Sequence, residues 1–402
     1  MATIDRRAAP ETAVLSALVA PVPLDEFLSR YWRQQHLFSR GPADRFAALI
    51  SWADINAILE HHWRETFRFR LARQGRDLDP ASYADLDGYT PRVRAHDLTE
   101  HLRRGATLSF DAVDEVHEPL TRLARVFEGF FRAGTKINIY AGWRAVHGLD
   151  LHRDNQEIFI LHVDGRKRWL LYGRSIDHVD CRDLAASSVP PAGAVLDEIL
   201  QPGDLLYIPR GCYHLAVPVE EPALHLTLGV KNPRGSDLLN WIVQRLGTHD
   251  IAGGDVPLTG DALERRRFSD ALRRALDAAC EGDLVEQYVA ETGSNVKPRP
   301  SFNLPWSATI DGLPAGDFSV ALEDGVRVAP HGSADSSIEV ACGRRSYRFP
   351  RRMAWLIGQL DSSAPVPIGS LVAAAAGRMD AEDVRILVGM LASCDLVAIV
   401  TP

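Results

Sequence analysis

The sequence contains few cysteines, and they follow no pairing pattern. Five cysteines are scattered over 402 residues, and none are spaced as Cys-x-x-Cys. Such usage is expected of reduced thiols in a cytoplasm, because disulfide frameworks need paired cysteines and zinc ribbons need closely spaced ones. We therefore predict a cytoplasmic location and exclude both a disulfide framework and a zinc ribbon.

Long apolar runs and an excess of positive charge are also missing. No run approaches the roughly 20 apolar residues that a membrane helix needs. The segment AVLSALVA follows two arginines, but Glu11 interrupts the approach and no small-residue cleavage site follows, so an N-terminal helix or arm is expected in place of a signal sequence. The net charge of −8 gives no electrostatic footprint for nucleic acid. We expect neither a membrane nor nucleic acid as a partner.

The N-terminal part of the chain has helical periodicity. Apolar residues recur at helical spacing at Leu24, Phe27, Leu28, Tyr31 and Trp32, which predicts an amphipathic helix packed against a core. The segment SWADINAILEHHW predicts a second helix, with its first serine as the N-cap. The next 60 residues are polar and irregular.

Strand-like alternation begins at residue 136. In KINIYAGW the isoleucines would face one side and Asn138 and Tyr140 the other, and ALHLTLGV alternates in the same way. Asp164-Gly165 lies between EIFILHV and KRWLLYG, and this dipeptide favours a two-residue hairpin. QPGDLLYIPRGCYHLAVPV reads as turn, strand, turn, strand. Such strands with one polar face predict an antiparallel barrel or sandwich with a polar lumen.

After residue 231 the pattern becomes helical again. SDLLNWIVQRL and DALERRRFSDALRRALDAAC predict two amphipathic helices. We predict homodimerisation through their faces around Leu239, Ile242, Leu272 and Leu276, with packing inside one chain as the alternative.

A third region follows the Pro-bearing linker SNVKPRPSFNLPW. VPIGSLVAAAAG and DAEDVRILVGMLASC predict helices, the second capped by Asp380, and DLVAIV predicts a closing strand. This order resembles a winged helix. From residue 297 onward, 10 Lys and Arg stand against 11 Asp and Glu, so we expect a docking or dimer-supporting role here instead of DNA binding.

Three His-x-Asp triplets are candidate metal-binding elements: His152/Asp154, His162/Asp164 and His178/Asp180. Because chance alone supplies about two such matches in a chain with 14 His and 53 acidic residues, context must decide among them. A mononuclear oxygen-activating iron needs two imidazoles and one carboxylate on one face of an octahedron.

A strand points residues i and i+2 the same way, so a triplet can supply two ligands, and a distant strand must supply the third. Asp164 would begin the predicted hairpin turn, so its carboxylate should point to solvent or cap the turn. His178/Asp180 lies in SIDHVDCRD, which has no strand pattern to fix the direction of the two side chains. His152/Asp154 precedes the apolar IFIL and lies upstream of His214, which is a credible third ligand.

The segments HRDNQEIFILHVDGRKRW and PGDLLYIPRGCYH resemble the Jumonji-C oxygenases of the cupin-4 type, the bacterial ribosomal oxygenase-like group. The resemblance is specific over residues 136–230 and extends loosely to FLSRYWRQQHLF. It implies an α+β fold, a double-stranded β-helix (jelly-roll or cupin barrel) with N-terminal helices. The implied domains are a catalytic domain over 1–233, a helical dimerisation segment over 234–296 and a winged-helix-like domain over 297–402.

The same resemblance implies the roles of individual residues. His152, Asp154 and His214 would bind Fe(II), and Lys167 would pair with the far carboxylate of 2-oxoglutarate. The matches to lumen positions near this cosubstrate are Asn138, Tyr140 and Thr227. We expect His225, on the same face as Thr227, to be a hydrogen-bonded lumen histidine and not a ligand.

The implied activity is that of an Fe(II)- and 2-oxoglutarate-dependent dioxygenase that hydroxylates a side chain of a protein or peptide, with ribosomal proteins among the candidate substrates. Two alternatives stay open: a hydroxylase of a small peptide or natural-product precursor, and a non-catalytic cupin-like binding module. The intact metal-ligand set together with Lys167 argues against the binding module, because a protein without turnover is free to lose either.

Overall fold

The structure is a computed structural model, and it describes residues 8–61, 68–86, 92–174, 193–247, 250–292, 299, 304–306, 313–323, 326–328, 337–342, 345–360 and 365–401. The His178/Asp180 triplet lies outside these residues. The chain divides into two compact units, Met1–Lys231 and Asn232–Pro402. Within the described ranges no single helix is long and apolar enough to cross a membrane, and only the bent pair Glu11–Val19 and Leu24–Tyr31 meets both criteria jointly.

In the described part of the first unit all helices lie before residue 132, among short strands, and eight consecutive strands follow them. Its helices are α1 (Ala8–Val19), α2 (Leu24–Glu26, continued by a π turn over Phe27–Tyr31), α3 (Trp52–His61), α4 (Ala95–Arg103) and α5 (Glu118–Phe131), with 3-10 turns at Pro80–Ser82 and Val113–Glu115. Its strands are β1 (Leu37–Ser39), β2 (Phe69–Arg73), β3 (Arg76–Asp77), β4 (Ala84–Asp85), β5 (Arg92–Val93), β6 (Thr107–Phe110), β7 (Gly134–Gly142), β8 (His152–Arg153), β9 (Glu157–Asp164), β10 (Lys167–Arg174), β11 (Leu196–Leu200), β12 (Leu205–Ile208), β13 (Cys212–Pro218) and β14 (Ala223–Lys231).

Two antiparallel sheets form the framework of this unit. In the described part of the chain the larger sheet has the order β1-β12-β9-β14-β7-β6-β2-β3, and the smaller has the order β11-β10-β13-β8. Strands β4 and β5 form a separate short pair. The predicted antiparallel arrangement is therefore confirmed. As predicted, Ile137 and Ile139 of β7 belong to the core, while Asn138 and Tyr140 line a cavity.

The predicted hairpin at Asp164-Gly165 is wrong. Strand β9 pairs with β12 and β14, whereas β10 pairs with β11 and β13, so the dipeptide carries the chain from one sheet to the other. Gly165 has φ +65°, and a Cβ there would lie 1.8 Å from the carbonyl oxygen of Pro222. Gly165 thus has the positive φ that the sequence indicated, but it lies where the chain passes from one sheet to the other and not in a hairpin turn.

The N-terminal segment packs against the outer face of the larger sheet, as predicted. Phe27 is fully buried, and the other members of its apolar stripe pack partly buried on the same core: Leu24, Leu28, Tyr31 and Trp32. The Ser51 hydroxyl accepts a hydrogen bond from the Asp54 amide (3.2 Å), and the Ser51 amide donates to the Asp54 carboxylate (2.8 Å). This reciprocal pair caps α3, which confirms the predicted N-cap.

The stretch expected to be irregular contains β2, β6, α4 and the start of α5. On α5, Leu120, Leu123, Ala124 and Phe127 are buried, and a proline occupies the first turn. Both are ordinary signals of an amphipathic helix. The expectation of irregular structure is therefore wrong, although a helical period was present in the sequence.

The second unit is described separately. Its helices are α6 (Gly235–Leu246), α7 (Asp250–Gly253), α8 (Ala262–Ala279), α9 (Leu284–Thr292), α10 (Met353–Leu360), α11 (Ile368–Ala375) and α12 (Ala381–Ser393). Its strands are β15 (Ser319–Leu322), β16 (Val326–Val328), β17 (Ser337–Cys342), β18 (Arg345–Pro350), β19 (Val366–Pro367) and β20 (Val397–Val400). The helices and closing strand predicted from periodicity are present, and Asp380 accepts a hydrogen bond from the Asp383 amide (2.8 Å) to cap α12.

One residue of the expected dimer face is directed inward. Ile242 is buried in a cluster formed by α6, α8 and α9 together with Trp241, Ala275 and Tyr288. By contrast, the other three residues of that face are exposed: Leu239, Leu272 and Leu276. Ile242 therefore stabilises its own helical unit, because the helix face that bears it packs on neighbouring helices of the same chain.

Candidate active site

A cavity of about 250 Å³ lies between the two sheets of the first unit. Strands β7 and β14 of the larger sheet contribute polar side chains to one wall, and β8, β10 and β13 contribute to the other. At one side of this interior, Ile158 and Ile160 of β9 pack with Trp169 and other apolar residues. The cavity is therefore a polar space bounded by an apolar cluster.

Two histidines and one aspartate converge in this cavity. His152 of β8 is the direct cross-strand partner of His214 of β13, and their ring centroids are 4.3 Å apart. Asp154 follows β8, and its Oδ2 lies 3.6 Å from His214 Nε2. One ligand atom from each of the three residues lies within 4.8 Å of the other two. In the part of the chain that the structure describes, no other group of three or more His, Cys, Asp and Glu side chains meets this criterion.

Backbone hydrogen bonds orient both imidazoles toward the cluster. His152 Nδ1 lies 2.7 Å from the carbonyl oxygen of Asp150, and His214 Nδ1 lies 3.1 Å from that of Cys212. A carbonyl can only accept, so each Nδ1 carries the proton and each Nε2 presents a lone pair. Burial, followed by the neighbouring His152, lowers the pKa of His214 to about 4. The neutral imidazole is the form that binds metals, so this donor set fits a divalent cation such as Fe(II).

Lys167 of β10 lines the same cavity and is 4% exposed. Burial lowers the pKa of its amine to about 7. Its neighbours Arg166 and Arg168 are exposed and form ion pairs with Glu221 and Asp197. Because its side chain is buried, Lys167 is not a solvated hairpin lysine. It makes no ion pair with any residue that the structure describes. A buried amine of this kind is stabilised by an anionic ligand.

The three other residues expected near the cosubstrate lie on the wall opposite Lys167. Asn138 and Thr227 are direct cross-strand partners, and both line the cavity with Tyr140. Asn138 Oδ1 accepts a hydrogen bond from the Ala112 amide (3.0 Å), which fixes its side chain. Burial raises the pKa of Tyr140 to about 12, so its hydroxyl stays a neutral hydrogen-bonding group.

His225 lines the cavity on the same strand face as Thr227, as predicted. Its ring stacks on Tyr140 with centroids 5.3 Å apart. The expected hydrogen bond is absent at one ring nitrogen, because Nδ1 is buried and has no partner among the described residues.

The second triplet has different surroundings. His162 Nε2 lies 2.9 Å from the carbonyl oxygen of Gly165, and Asp164 accepts a hydrogen bond from the Trp52 indole at 2.6 Å. These contacts stabilise the corner between the sheets. Asp164 therefore does not begin the hairpin turn that the sequence predicts, and its carboxylate is held by the Trp52 indole.

Sequence reasoning missed several residues of the cavity wall. Trp169 lies inside the recognised motif but had been given no role, and Arg70, Thr107 and Asp111 were not considered. Arg70 comes from β2, in the stretch expected to be irregular. Identifying it would have required the knowledge that β2 pairs with β6 and extends the sheet over the cavity.

Comparisons with known proteins identify chains and a family model that are similar to this one. The JmjC domain family model matches residues 114–238. A bifunctional lysine-specific demethylase and histidyl-hydroxylase NO66 of Drosophila grimshawi is 32% identical over 227 residues, which cover 54% of this chain and 30% of that protein. Ribosomal oxygenase 2 of Rattus norvegicus is 27% identical over 266 residues, which cover 61% of this chain and 53% of that protein. The chain thus spans only part of the length of the curated relatives it matches.

Solved structures extend the likeness in fold over most of the chain. The crystal structure of Escherichia coli ribosomal oxygenase YcfD matches with a TM-score of 0.61 at 20% identity, covering 94% of this chain and 98% of that chain. A structure of YcfD in complex with cobalt and 2-oxoglutarate matches with a TM-score of 0.60 at 20% identity and the same coverage. At this identity the likeness establishes a common fold, the cupin-type α+β fold that the sequence motifs predicted.

Proposed function

We propose that this chain, whose residues 114–238 match the JmjC domain family model, is an Fe(II)- and 2-oxoglutarate-dependent dioxygenase that hydroxylates a side chain of a protein or peptide. One observation carries the proposal: the convergent His152, Asp154 and His214 share one cavity with the buried Lys167, which has no ion-pair partner among the described residues. A metal that must bind a cosubstrate with two carboxylates needs this combination of ligands and a fixed cation.

Each group of the cavity has a defined task in this proposal. His152, Asp154 and His214 would hold Fe(II) on one face, which leaves open positions for cosubstrate and dioxygen. Lys167 would hold the far carboxylate of 2-oxoglutarate, with Asn138, Tyr140 and Thr227 on the opposite wall. Bound iron would supply the oxidation of a substrate C–H bond, coupled to the decarboxylation of 2-oxoglutarate to succinate.

The substrate class follows from the names of the relatives. The matched proteins include a histidyl-hydroxylase and ribosomal oxygenases, which supports a polypeptide substrate, with ribosomal proteins as candidates. The net charge of −8 suits a basic partner of that kind. We further propose a cytoplasmic location, in agreement with the scattered cysteines, and no nucleic acid or membrane partner.

The second unit supplies the remaining proposals. We place a helical dimerisation segment at 234–296 and a winged-helix-like domain at 297–402, after a catalytic domain at 1–233. The exposed Leu239, Leu272 and Leu276 support a homodimer, because a monomer leaves these apolar side chains in water. Light scattering at micromolar concentration is expected to give twice the chain mass, and a monomer there contradicts the dimer.

Two alternative functions make different predictions. A hydroxylase of a small peptide or natural-product precursor would form succinate with a short peptide but leave no mark on ribosomal proteins. A non-catalytic binding module would bind metal and ligand without turnover. The shared occurrence of three metal ligands and Lys167 favours an enzyme over the module, because only turnover of a dicarboxylate cosubstrate requires both.

The test has two stages. Purified protein loaded with Fe(II) is expected to release succinate from 2-oxoglutarate, and the metal-free protein is not. Mass spectrometry of polypeptides from cells with and without this protein is then expected to show a shift of about +16 Da on particular side chains, the mass of one oxygen atom. An iron-loaded sample that forms no succinate with any polypeptide fraction contradicts the enzyme and favours the binding module.

A further inference from the structure

One side chain that lines the cavity, Gln156, has no task in the proposed function. Gln156 directly precedes β9, two residues after Asp154. It is half-buried, and its amide makes no hydrogen bond with any residue that the structure describes. Both polar atoms of the amide are accessible, whereas Oδ1 of the adjacent Asn155 is buried. The Gln156 amide is therefore available to a ligand that enters the cavity.

The register of the larger sheet places this amide at the open end of the cavity. His225, Thr227 and Gly229 alternate along the inner face of β14, and Gly229 is the cross-strand partner of Lys136. His225 and Thr227 are buried, whereas the Lys136 side chain is 47% exposed. The wall thus opens to solvent at the row that contains Lys136 and Gly229, and we call this row, together with Gln156, the mouth of the cavity.

Gly229 leaves the space in which the Gln156 amide lies. A Cβ at Gly229 would lie 2.3 Å from Gln156 Nε2 and 2.6 Å from Oε1. Both distances are far below van der Waals contact, so any other residue at this position would displace the amide. The amide therefore has a defined seat on the inner face of β14.

The cations at this end of the cavity already have partners. Lys136 Nζ lies 3.8 Å from Asp111 Oδ2, and Arg70 Nη1 lies 3.1 Å from Asp77 Oδ2. Both cations line the cavity. Because each is balanced by a carboxylate, the mouth suits a neutral polar group better than an ion.

A peptide group of a polypeptide substrate is a neutral group of this kind. A polypeptide continues on both sides of its target residue, so its main chain crosses the mouth while one side chain enters. Main-chain N–H and C=O groups that lose water there need new partners. An amide side chain supplies an acceptor and two donors, and so it can pair with both. In the free protein, water can occupy these positions until the substrate displaces it.

The position of Gln156 in the chain suits this task. The Cα atoms of residues two apart are separated by at most about 7 Å, so Gln156 lies close to the metal ligand Asp154. A substrate main chain that is bonded to Gln156 therefore lies within the length of one long side chain from the metal ligands.

We propose that the Gln156 amide binds a main-chain peptide group of the polypeptide substrate at the mouth, beside the residue whose side chain enters the cavity. This inference rests on the proposed function. It adds a substrate contact that is independent of the side chains flanking the target residue.

The probe is a short synthetic peptide that contains the side chain found oxidised in the mass-spectrometric comparison of cells with and without this protein. Gln156→Met keeps the length of the side chain and its packing on Gly229 but removes donors and acceptor. It is expected to raise KM for this peptide about tenfold with little change in kcat, because the lost contact stabilises the bound substrate and the transition state equally. An unchanged KM contradicts the proposal.

Ester-containing peptides distinguish a main-chain contact from a structural role of Gln156. In each peptide an ester replaces one peptide bond next to the target residue, which removes one N–H and weakens one carbonyl acceptor. One of these esters is expected to raise KM for the unchanged protein several-fold and to have no further effect on Gln156→Met, because its partner is already gone. The absence of an ester-sensitive position, or an equal ester effect in both proteins, overturns the proposal.

Gly229→Ala is a second variant that leaves the amide in the chain but removes its seat. It is expected to raise KM as Gln156→Met does, and to add nothing in a protein that already carries Gln156→Ala, since no amide is left to displace. Additive effects overturn the proposal. Thermal unfolding and calorimetric binding of Fe(II) and 2-oxoglutarate, measured for each variant, show whether the fold and the metal site are intact.

The outcome separates this inference from the proposed function. If the unchanged protein oxidises no polypeptide side chain and forms no succinate, the proposed function fails. If the unchanged protein hydroxylates the peptide and both Gln156→Met and Gly229→Ala keep its KM, only the further inference fails.

Discussion

The two described His-x-Asp triplets have the same local sequence pattern and different chemistry. In the first, His152 Nδ1 is bonded to a backbone carbonyl, and one ligand atom each of His152, Asp154 and His214 lie within 4.8 Å of one another. In the second, His162 Nε2 faces the Gly165 carbonyl and Asp164 binds the Trp52 indole. The first triplet thus differs from the second in the ligand atoms that it leaves available and in having a third candidate ligand, His214, across the strand pair.

The largest effect is expected when Asp154 and Asp164 are each replaced by asparagine, in two separate variants. Asp154→Asn is expected to weaken Fe(II) binding by about a hundredfold or more, because changes of groups that merely support metal ligands already cost tenfold to a hundredfold. Asp164→Asn, the matched control, keeps an acceptor for Trp52 and is expected to bind Fe(II) normally. The measurement is calorimetric titration of the metal-free protein with Fe(II) under anaerobic conditions. Equal affinities for the two variants contradict the distinction between the triplets.

The sequence predicted the first triplet because each part of the argument was local or motif-based. Strand alternation places residues i and i+2 on one face, and the motif around His214 supplies the third ligand. The cross-strand pair His152–His214 is the geometry that this reasoning requires. Lys167 was likewise identified from its place in the motif, and the structure places it in the same cavity.

What sequence reasoning missed depends on pairing between distant strands. Asp164-Gly165 indicates a positive φ, but a local dipeptide does not specify which strands flank it in the sheets, so a corner was interpreted as a hairpin. Arg70 could not be placed in the cavity wall without the β2–β6 pairing. The period of α5, in contrast, could have been found from Leu120, Leu123 and Phe127 alone.

The second prediction concerns the amine of Lys167, which lines the same cavity as the first triplet. Because burial lowers the pKa of Lys167 to about 7, the amine is protonated below that pH and loses its charge above it. A carboxylate binds the charged form, so the affinity for 2-oxoglutarate is expected to be highest below pH 7 and to fall by up to about tenfold per pH unit above it. Binding of 2-oxoglutarate to the Fe(II)-loaded protein between pH 6 and pH 9 measures this.

His162 and His225 lie near the Lys167 amine, and neither accounts for the expected fall in 2-oxoglutarate affinity with rising pH. Burial lowers the pKa of His162 to about 4 and that of His225 well below its ordinary value, so both are neutral throughout the range. Lys167→Arg provides the control, because a guanidinium keeps its charge at these pH values. A flat profile for the unchanged protein, or the same slope in Lys167→Arg, contradicts the assignment of the change to Lys167.

The smallest expected effect concerns the structural role of the second triplet. Asp164→Ala removes the acceptor of the Trp52 indole, a 2.6 Å hydrogen bond between α3 and the end of β9, and is expected to lower the free energy of unfolding by about 1–2 kcal/mol. Chemical denaturation measures this loss, and Trp52→Phe should show a similar one, since it removes the donor of the same bond. The double variant should then cost less than the sum of the two, because each single change already breaks the shared contact. Fe(II) affinity should stay unchanged in all three variants. A loss of metal binding by Asp164→Ala would contradict this, because it would mean that the turn at Asp164-Gly165 helps to position His152, Asp154 and His214. The two triplets would then not be independent.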